Sequence, residues 1–101
     1  MLLRFEWNPS KAATNWRKHG VSFETATRVF IDQNALFEQD RVENGEIRRQ
    51  AIGLVEGTML LLVAHVVKED GNQEVIRIIS ARNADRKERT RYEEANGLLP
   101  N

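Results

Sequence analysis

Phe23, Ala26, Val29 and Phe30 recur at the three- and four-residue spacing of a helix face, whereas Met59-Leu60-Leu61-Leu62-Val63-Ala64 runs unbroken, as a buried strand does. Turn and cap residues delimit the elements around these two signals. Asn8 can cap free backbone N–H groups and Pro9 suits a first helical position, so a helix is predicted over Pro9–His19, with Gly20 as its left-handed stop. Ser22 then caps a second helix, the one carrying the spaced apolar set. Ala35–Glu38 reads as a short strand, and the polar stretch Gln39–Glu46, with its Asn44-Gly45 turn, as the most mobile segment. Three further strands are predicted over Ile47–Val55, Thr58–Lys68 and Glu74–Arg82, joined by hairpin turns at Glu56-Gly57 and around Asp70-Gly71-Asn72. Asn83 caps a last helix from Ala84 to about Asn96, closed by Gly97. Only Ala84, Tyr92 and Ala95 offer that helix apolar contact, so it is expected to face solvent, a partner or RNA. The sum is an α+β chain: two N-terminal helices, an antiparallel meander of three to four strands, and a C-terminal helix, with helices mainly on one face of the sheet.

A length of 101 residues supports one domain with one modest core, taken as residues 1–101 with 97–101 as a flexible tail. The absence of cysteine excludes disulfides and thiolate metal ligands and fits a reducing cytoplasm. Met1-Leu2-Leu3-Arg4-Phe5-Glu6-Trp7 carries charge within its apolar run and does not read as a signal peptide. The longest apolar run falls far short of the roughly 20 residues that span a bilayer, so no membrane association is expected. Lysine plus arginine and aspartate plus glutamate each number 15, and a net charge of zero counts against a nucleic-acid binder. The distribution changes that picture. Acid gathers in the middle (Asp32, Glu38, Asp40, Glu43, Glu46), while base gathers near the start (Lys11, Arg17, Lys18) and the end (Arg82, Arg86, Lys87, Arg89, Arg91), which allows one basic and one acidic face.

Read together, Phe5-Glu6-Trp7-Asn8-Pro9 with Lys11-Ala12, Asn15 with Lys18-His19-Gly20-Val21-Ser22-Phe23, and Arg77-Ile78-Ile79-Ser80-Ala81-Arg82 with Ala84 resemble the BrnT family of toxins. Glu88 and Tyr92 continue the match, which runs from Phe5 to Glu94. The family often has Asp at the position of Asn8, a change that keeps the capping oxygen. The resemblance implies a RelE-like fold and metal-independent cleavage of RNA, either mRNA or ribosome-associated. It also implies neutralisation by a BrnA-like ribbon-helix-helix antitoxin in a complex of two toxins and two antitoxins, with operator DNA bound only through the antitoxin. No cofactor and no metal are expected.

Cutting RNA without a metal needs a proton acceptor for the 2′-hydroxyl, cationic donors for the charge on phosphorus, and an acid for the leaving oxygen. His19, beside Lys18 at the end of the first helix, is either the proton shuttle or a cap on the last carbonyls. His65 lies mid-strand with Leu61, Val63 and Val67, where a hydrogen-bonded core histidine is the plainer reading and a catalytic one the second. Arg77 interrupts Val75-Ile76-Arg77-Ile78-Ile79, as a phosphate ligand or as half of an ion pair with a glutamate such as Glu56 or Glu74. Arg82 has the opposite parity and shares a site with Arg77 only if the strand bulges or ends between them. Arg49, with Ala51 and Gly53 beside it, is expected to border open space. The catalytic candidates are therefore His19, Lys18, Arg49, Arg77, Arg82 and His65. Lys11, Asn15, Arg86 and Arg89 are candidates for holding RNA, the last two on one side of the final helix with Arg82, against the alternative of a solvated helix laced by pairs such as Asp85 with Arg89. Trp7 and Trp16 are assigned to core packing. Two other readings stay open: a non-catalytic RNA- or ribosome-binding inhibitor using the same basic face, and a plain protein-interaction module.

Overall fold

A computed structural model describes residues 2–98; the last part of the expected flexible tail, 99–101, lies outside them. Helix α1 (Pro9–His19) forms where its caps require: the Asn8 side chain accepts from the Ser10 and Lys11 N–H groups, and Gly20 closes the helix at φ 67°, a conformation costly for any residue with a Cβ. Helix α2 (Phe23–Ala26) is capped by Ser22 and passes directly into a 3₁₀ turn, Thr27–Ile31, so the second predicted helix is half α and half 3₁₀.

The sheet corrects the predicted one. Strand β1 (Leu2–Trp7) precedes α1 and pairs in parallel with β5 (Gln73–Asn83); β4 (Met59–Asp70), β3 (Glu46–Val55) and β2 (Leu36–Glu43) follow antiparallel, giving the order β1-β5-β4-β3-β2. Five strands in a mixed sheet replace the expected three to four antiparallel strands of a RelE-like arrangement. The signal for β1 was present: Leu3, Phe5 and Trp7 alternate with Arg4 and Glu6, the period of a half-buried strand. The stretch Gln39–Glu46, expected to be mobile, is the β2–β3 hairpin, because backbone pairing from Glu43↔Glu46 to Leu36↔Ile52 overrides its polar composition.

Both sheet faces are covered, by different elements. On one face α1, α2 and the 3₁₀ turn pack Val21, Phe23, Ala26 and Val29 onto Ala51, Val55, Leu61, Val63, Ile76, Ile78 and Ala81. Trp7 joins this core edge-on to Phe23, but Trp16 is 59% exposed, contrary to its core assignment. Gly53 allows the approach, since a Cβ there would lie 2.7 Å from Val29 Cγ1. The 3₁₀ turn thus fills the space at Gly53, while Arg49 itself borders an open cavity, as expected. On the opposite face α3 (Arg86–Ala95) buries Tyr92 against Ile52, Leu60 and Leu62. The predicted Asn83 cap is displaced two residues: Asn83 still pairs with Leu61 in β5, and Asp85 with Glu88 forms a reciprocal capping box. Few as its apolar residues are, α3 does not simply face solvent: Tyr92 docks it on the sheet. Its hydroxyl donates to Asp32 Oδ2 at 2.7 Å, and burial with that bond pushes the phenol up to about 12. Burial opposes the Asp32 carboxylate, yet hydrogen bonds from the Leu54 N–H, Tyr92 and the Asn34 N–H together hold it below the ordinary carboxylate range.

One buried amide fastens α1 to the sheet. Strand β1 ends at Trp7, opposite Ile78, while β5 continues to Asn83, so the backbone edge at Ala81 has no strand beside it. Asn15 takes that place: its Oδ1 accepts from the Ala81 N–H at 3.0 Å, and its Nδ2 donates to the Ala81 and Val21 carbonyls, each at 2.9 Å. With 5% exposure, the side chain has no water to replace these bonds. Asn15→Ala is expected to lower the unfolding free energy by about 3 kcal/mol, since three buried backbone groups lose their partner. Urea denaturation measures it, and a loss under about 1 kcal/mol would remove the amide from this role.

Candidate functional site

Helical geometry places Lys11, Asn15 and Lys18 on one stripe of α1, four and then three residues apart. Docked through Asn15 on the edge of β5, that stripe forms a groove of about 240 Å³ lined by Ser10, Lys11, Thr14, Asn15, Lys18, His19, Ile79 and Ser80. Its lining holds two ammonium groups, one imidazole and three hydroxyls, and no carboxylate. Lys11 and Lys18 are exposed, His19 is half-buried, and none of the three is in an ion pair among the described residues. Such a lining suits a phosphate, which needs several donors and no competing anion. Asn15 belongs to the groove as its fastening: its polar atoms are spent on backbone.

The two β5 arginines stand elsewhere. Ala64 pairs with Ser80 and His65 with Ile78, so Ile79 is an extra residue in β5, a bulge that returns Arg77 and Arg82 to the same face despite their opposite parity. That face is the one carrying α3, and neither arginine lines the groove of His19. Each is engaged by a glutamate. Arg77 Nη2 lies 2.6 Å from Glu46 Oε1, so the ion-pair partner comes from the start of β3 and not from Glu56 or Glu74. Arg82 grips buried Glu88 through two bonds of 2.8 Å. The Arg82 hydrogen bond holds the Glu88 carboxyl below its ordinary range against the cost of burial, and the same bond raises the guanidinium. Nearby, Arg48 has a buried Nε without a hydrogen-bond partner, and Arg91 pairs with Glu38 at 3.2 Å. This half of the sheet is a lattice of compensated charge, so Arg77 and Arg82, named with His19 as catalytic candidates, share a face with each other but not a pocket with His19.

Arg49 and His65 meet on the face of α1 and α2, as direct neighbours across β3 and β4. They border a second cavity, of about 570 Å³, whose walls include Phe30, Phe37, Val67 and Ile76. His65 is 1% exposed, with Nδ1 3.1 Å from the Val63 carbonyl and its ring edge-on to Phe30. Burial, seconded by the Arg49 charge, lowers its pKa against the raising effect of the Val63 contact, so the imidazole is kept neutral. That is the core histidine of the plainer reading. Arg86 and Arg89 are exposed on α3, three residues apart; Arg82, still in β5, is not on the helix with them. The Asp85–Arg89 pair of the alternative reading does not form, because Asp85 is occupied as the cap. Among the described residues no three His, Cys, Asp or Glu side chains come together as a metal-ligand set, and no helix is long and apolar enough to cross a membrane.

The His65 environment has a measurable consequence. With a folded-state pKa below the ordinary value of roughly 6.5, the unfolded chain takes up a proton that the folded chain refuses, so stability falls as pH drops below that value. Urea stability measured from about pH 7 to about pH 5 is expected to fall more steeply in the wild type than in His65→Phe. Equal slopes would show that the histidine titrates alike in both states.

Comparison with known proteins bears on what this framework does. A solved structure titled the Brucella abortus ribonuclease toxin, BrnT, superposes with a TM-score of 0.60 at 24% sequence identity, covering 85% of this chain and 100% of that one, a likeness of fold. No curated protein matches the chain significantly in sequence. The family model described as "Ribonuclease toxin, BrnT, of type II toxin-antitoxin system" matches residues 7–88, from the end of β1 into α3. With well over half of its length matched, the chain belongs to the BrnT family of type II toxin-antitoxin ribonuclease toxins.

Proposed function

We propose that this chain is a cytoplasmic endoribonuclease that cuts RNA without a metal and so inhibits translation, with its chemistry in the groove between α1 and β5. The observation that carries the reading is the groove's lining: Lys11, Lys18 and His19 beside the hydroxyls of Ser10, Thr14 and Ser80, with no carboxylate among them. In this reading His19 accepts the proton of the 2′-hydroxyl, and its oxygen attacks the adjacent phosphorus. Lys18 and Lys11 offset the charge that develops on the phosphoryl oxygens. The products are a 2′,3′-cyclic phosphate and a free 5′-hydroxyl, the leaving oxygen regaining a proton from the imidazolium or from water. Exposed Arg86 and Arg89 extend the phosphate contacts along the chain. A BrnA-like ribbon-helix-helix antitoxin neutralises the toxin in a two-toxin, two-antitoxin complex, and operator DNA is reached through the antitoxin alone.

One observation favours a second reading, a non-catalytic RNA- or ribosome-binding inhibitor. The groove holds a single histidine, and the other is buried in the second cavity, so acid and base are not both supplied there by imidazole. Purified protein incubated with RNA in EDTA separates the two. Fragments ending in cyclic phosphate are expected, with cleavage lowered about 10²–10⁴-fold in His19→Ala. Lys11→Ala and Lys18→Ala should each weaken RNA binding and flatten its salt dependence by about 0.7 in logarithmic slope. Growth arrest that survives His19→Ala with message lengths unchanged would select the binding reading.

A further inference from the structure

The second cavity has no part in the proposed chemistry, yet it is the larger of the two. The apolar half of its lining is Leu3, Phe30, Phe37, Val67 and Ile76, brought together from β1, the 3₁₀ turn, β2, β4 and β5; Arg49, His65, Lys68, Glu69 and Glu74 make up the rest. Leu3 is 44% exposed and Phe37 54%, so the apolar lining opens to solvent. Val42 and Ile47, a cross-strand pair 63% and 42% exposed, carry it on along the β2–β3 hairpin, since they share the face of Arg49. This is the part of the sheet that α1, α2 and the 3₁₀ turn leave uncovered.

The charges around it are ordered. Arg49 on β3 is half-buried and, among the described residues, makes no ion pair or side-chain hydrogen bond, although most guanidinium groups of this structure do. A partly desolvated cation without a counter-ion against apolar walls favours a carboxylate brought from outside. On the other side, Glu69 and Glu74 stand opposite each other across β4 and β5 and also line the cavity. Two facing carboxylates repel one another and favour a cation. The same two carboxylates repel a phosphate backbone; the other cation of the lining, Lys68, is paired with Glu6 at 3.6 Å, and one free guanidinium is few for a nucleic acid, which takes several cations in a row. An apolar interior bounded by one unpaired cation and an acidic pair matches a polypeptide segment, with apolar side chains between an acidic and a basic residue.

We propose that this cavity is a docking site for the antitoxin: an apolar segment of that partner fills the space between Phe30 and Phe37, its carboxylate on Arg49 and its cationic side chain against Glu69 and Glu74. The inference rests on the toxin-antitoxin reading, and it separates the surface that is covered from the groove that does chemistry. An antitoxin held here covers a cavity that spans the sheet from β1 to β2 and shares no lining residue with the groove along the open edge of β5.

The test uses the full-length toxin and the protein encoded by the adjacent reading frame, with affinity measured by calorimetry and RNA cleavage measured in parallel. Phe37→Ala alters an exposed side chain, and Arg49→Ala and Arg49→Glu probe the charge; thermal melting checks that each variant is folded. Expected is a weakening of antitoxin binding of about 10-fold or more for Phe37→Ala and Arg49→Ala, larger for Arg49→Glu, with cleavage by Phe37→Ala unchanged. Wild-type binding that all three variants reproduce would overturn the docking site and leave the toxin reading standing. Variants that lose cleavage and keep the antitoxin would also overturn it, making the cavity an RNA surface. A wild-type toxin that ignores the neighbouring protein would defeat the toxin-antitoxin reading and the inference with it.

Discussion

The grip of Asn15 on the open edge of β5 is the contact on which the arrangement of the molecule turns. A parallel strand that stops short leaves the next backbone groups of its neighbour exposed, and those groups must find partners or water. Here a helix side chain supplies both a donor and an acceptor to Ala81, so α1 continues the sheet edge that β1 abandons. The third bond, to the Val21 carbonyl, ties in the turn leading to α2. Because Lys11 and Lys18 share the helical stripe of Asn15, the fastening that seats the helix also sets which side chains look onto Ile79 and Ser80.

The bulge at Ile79 determines the electrostatics of the opposite face. Without it, Arg77 and Arg82 would point to opposite sides; with it, both join the face of α3, where glutamates meet them. A net charge of zero is therefore not evenly spread. The face beyond α3 is internally neutralised, while the cations of the α1 groove have no acidic partner among the described residues. Membership of a ribonuclease-toxin family is compatible with zero net charge because the positive charge is segregated by the fold.

Elements with local signals were legible in the sequence. Helix α1 follows from Asn8, Pro9 and Gly20 down to its boundaries, and the hairpins follow from their turn residues. Strand β1 is written in the alternation of Leu3, Phe5 and Trp7, and the cap of α3 in the Asp85–Glu88 spacing, two residues beyond the competing signal of Asn83. The partners of Arg77 and Arg82 were not legible, because strand pairing and a one-residue bulge decide them. Asn15 looked like a ligand for RNA because a polar side chain on a helix gives no local sign that an unpaired strand edge lies 66 residues away in sequence. The grouping of Arg49 and His65 with two phenylalanines likewise depends on the register of β3 against β4.

The bond from Tyr92 to Asp32 joins the two layers around the rim of the sheet. Asp32 follows the 3₁₀ turn on one side and Tyr92 sits in the helix on the other, yet a single hydroxyl links them while the same carboxylate receives the Leu54 N–H from β3. Anything that prises the C-terminal helix away must also unfasten the segment that leads into the second strand. The molecule is in that sense laced shut along a seam, where Asn96 also donates to the Asn34 carbonyl and Arg91 pairs with Glu38, and loosening at its C-terminal end is transmitted to its N-terminal half.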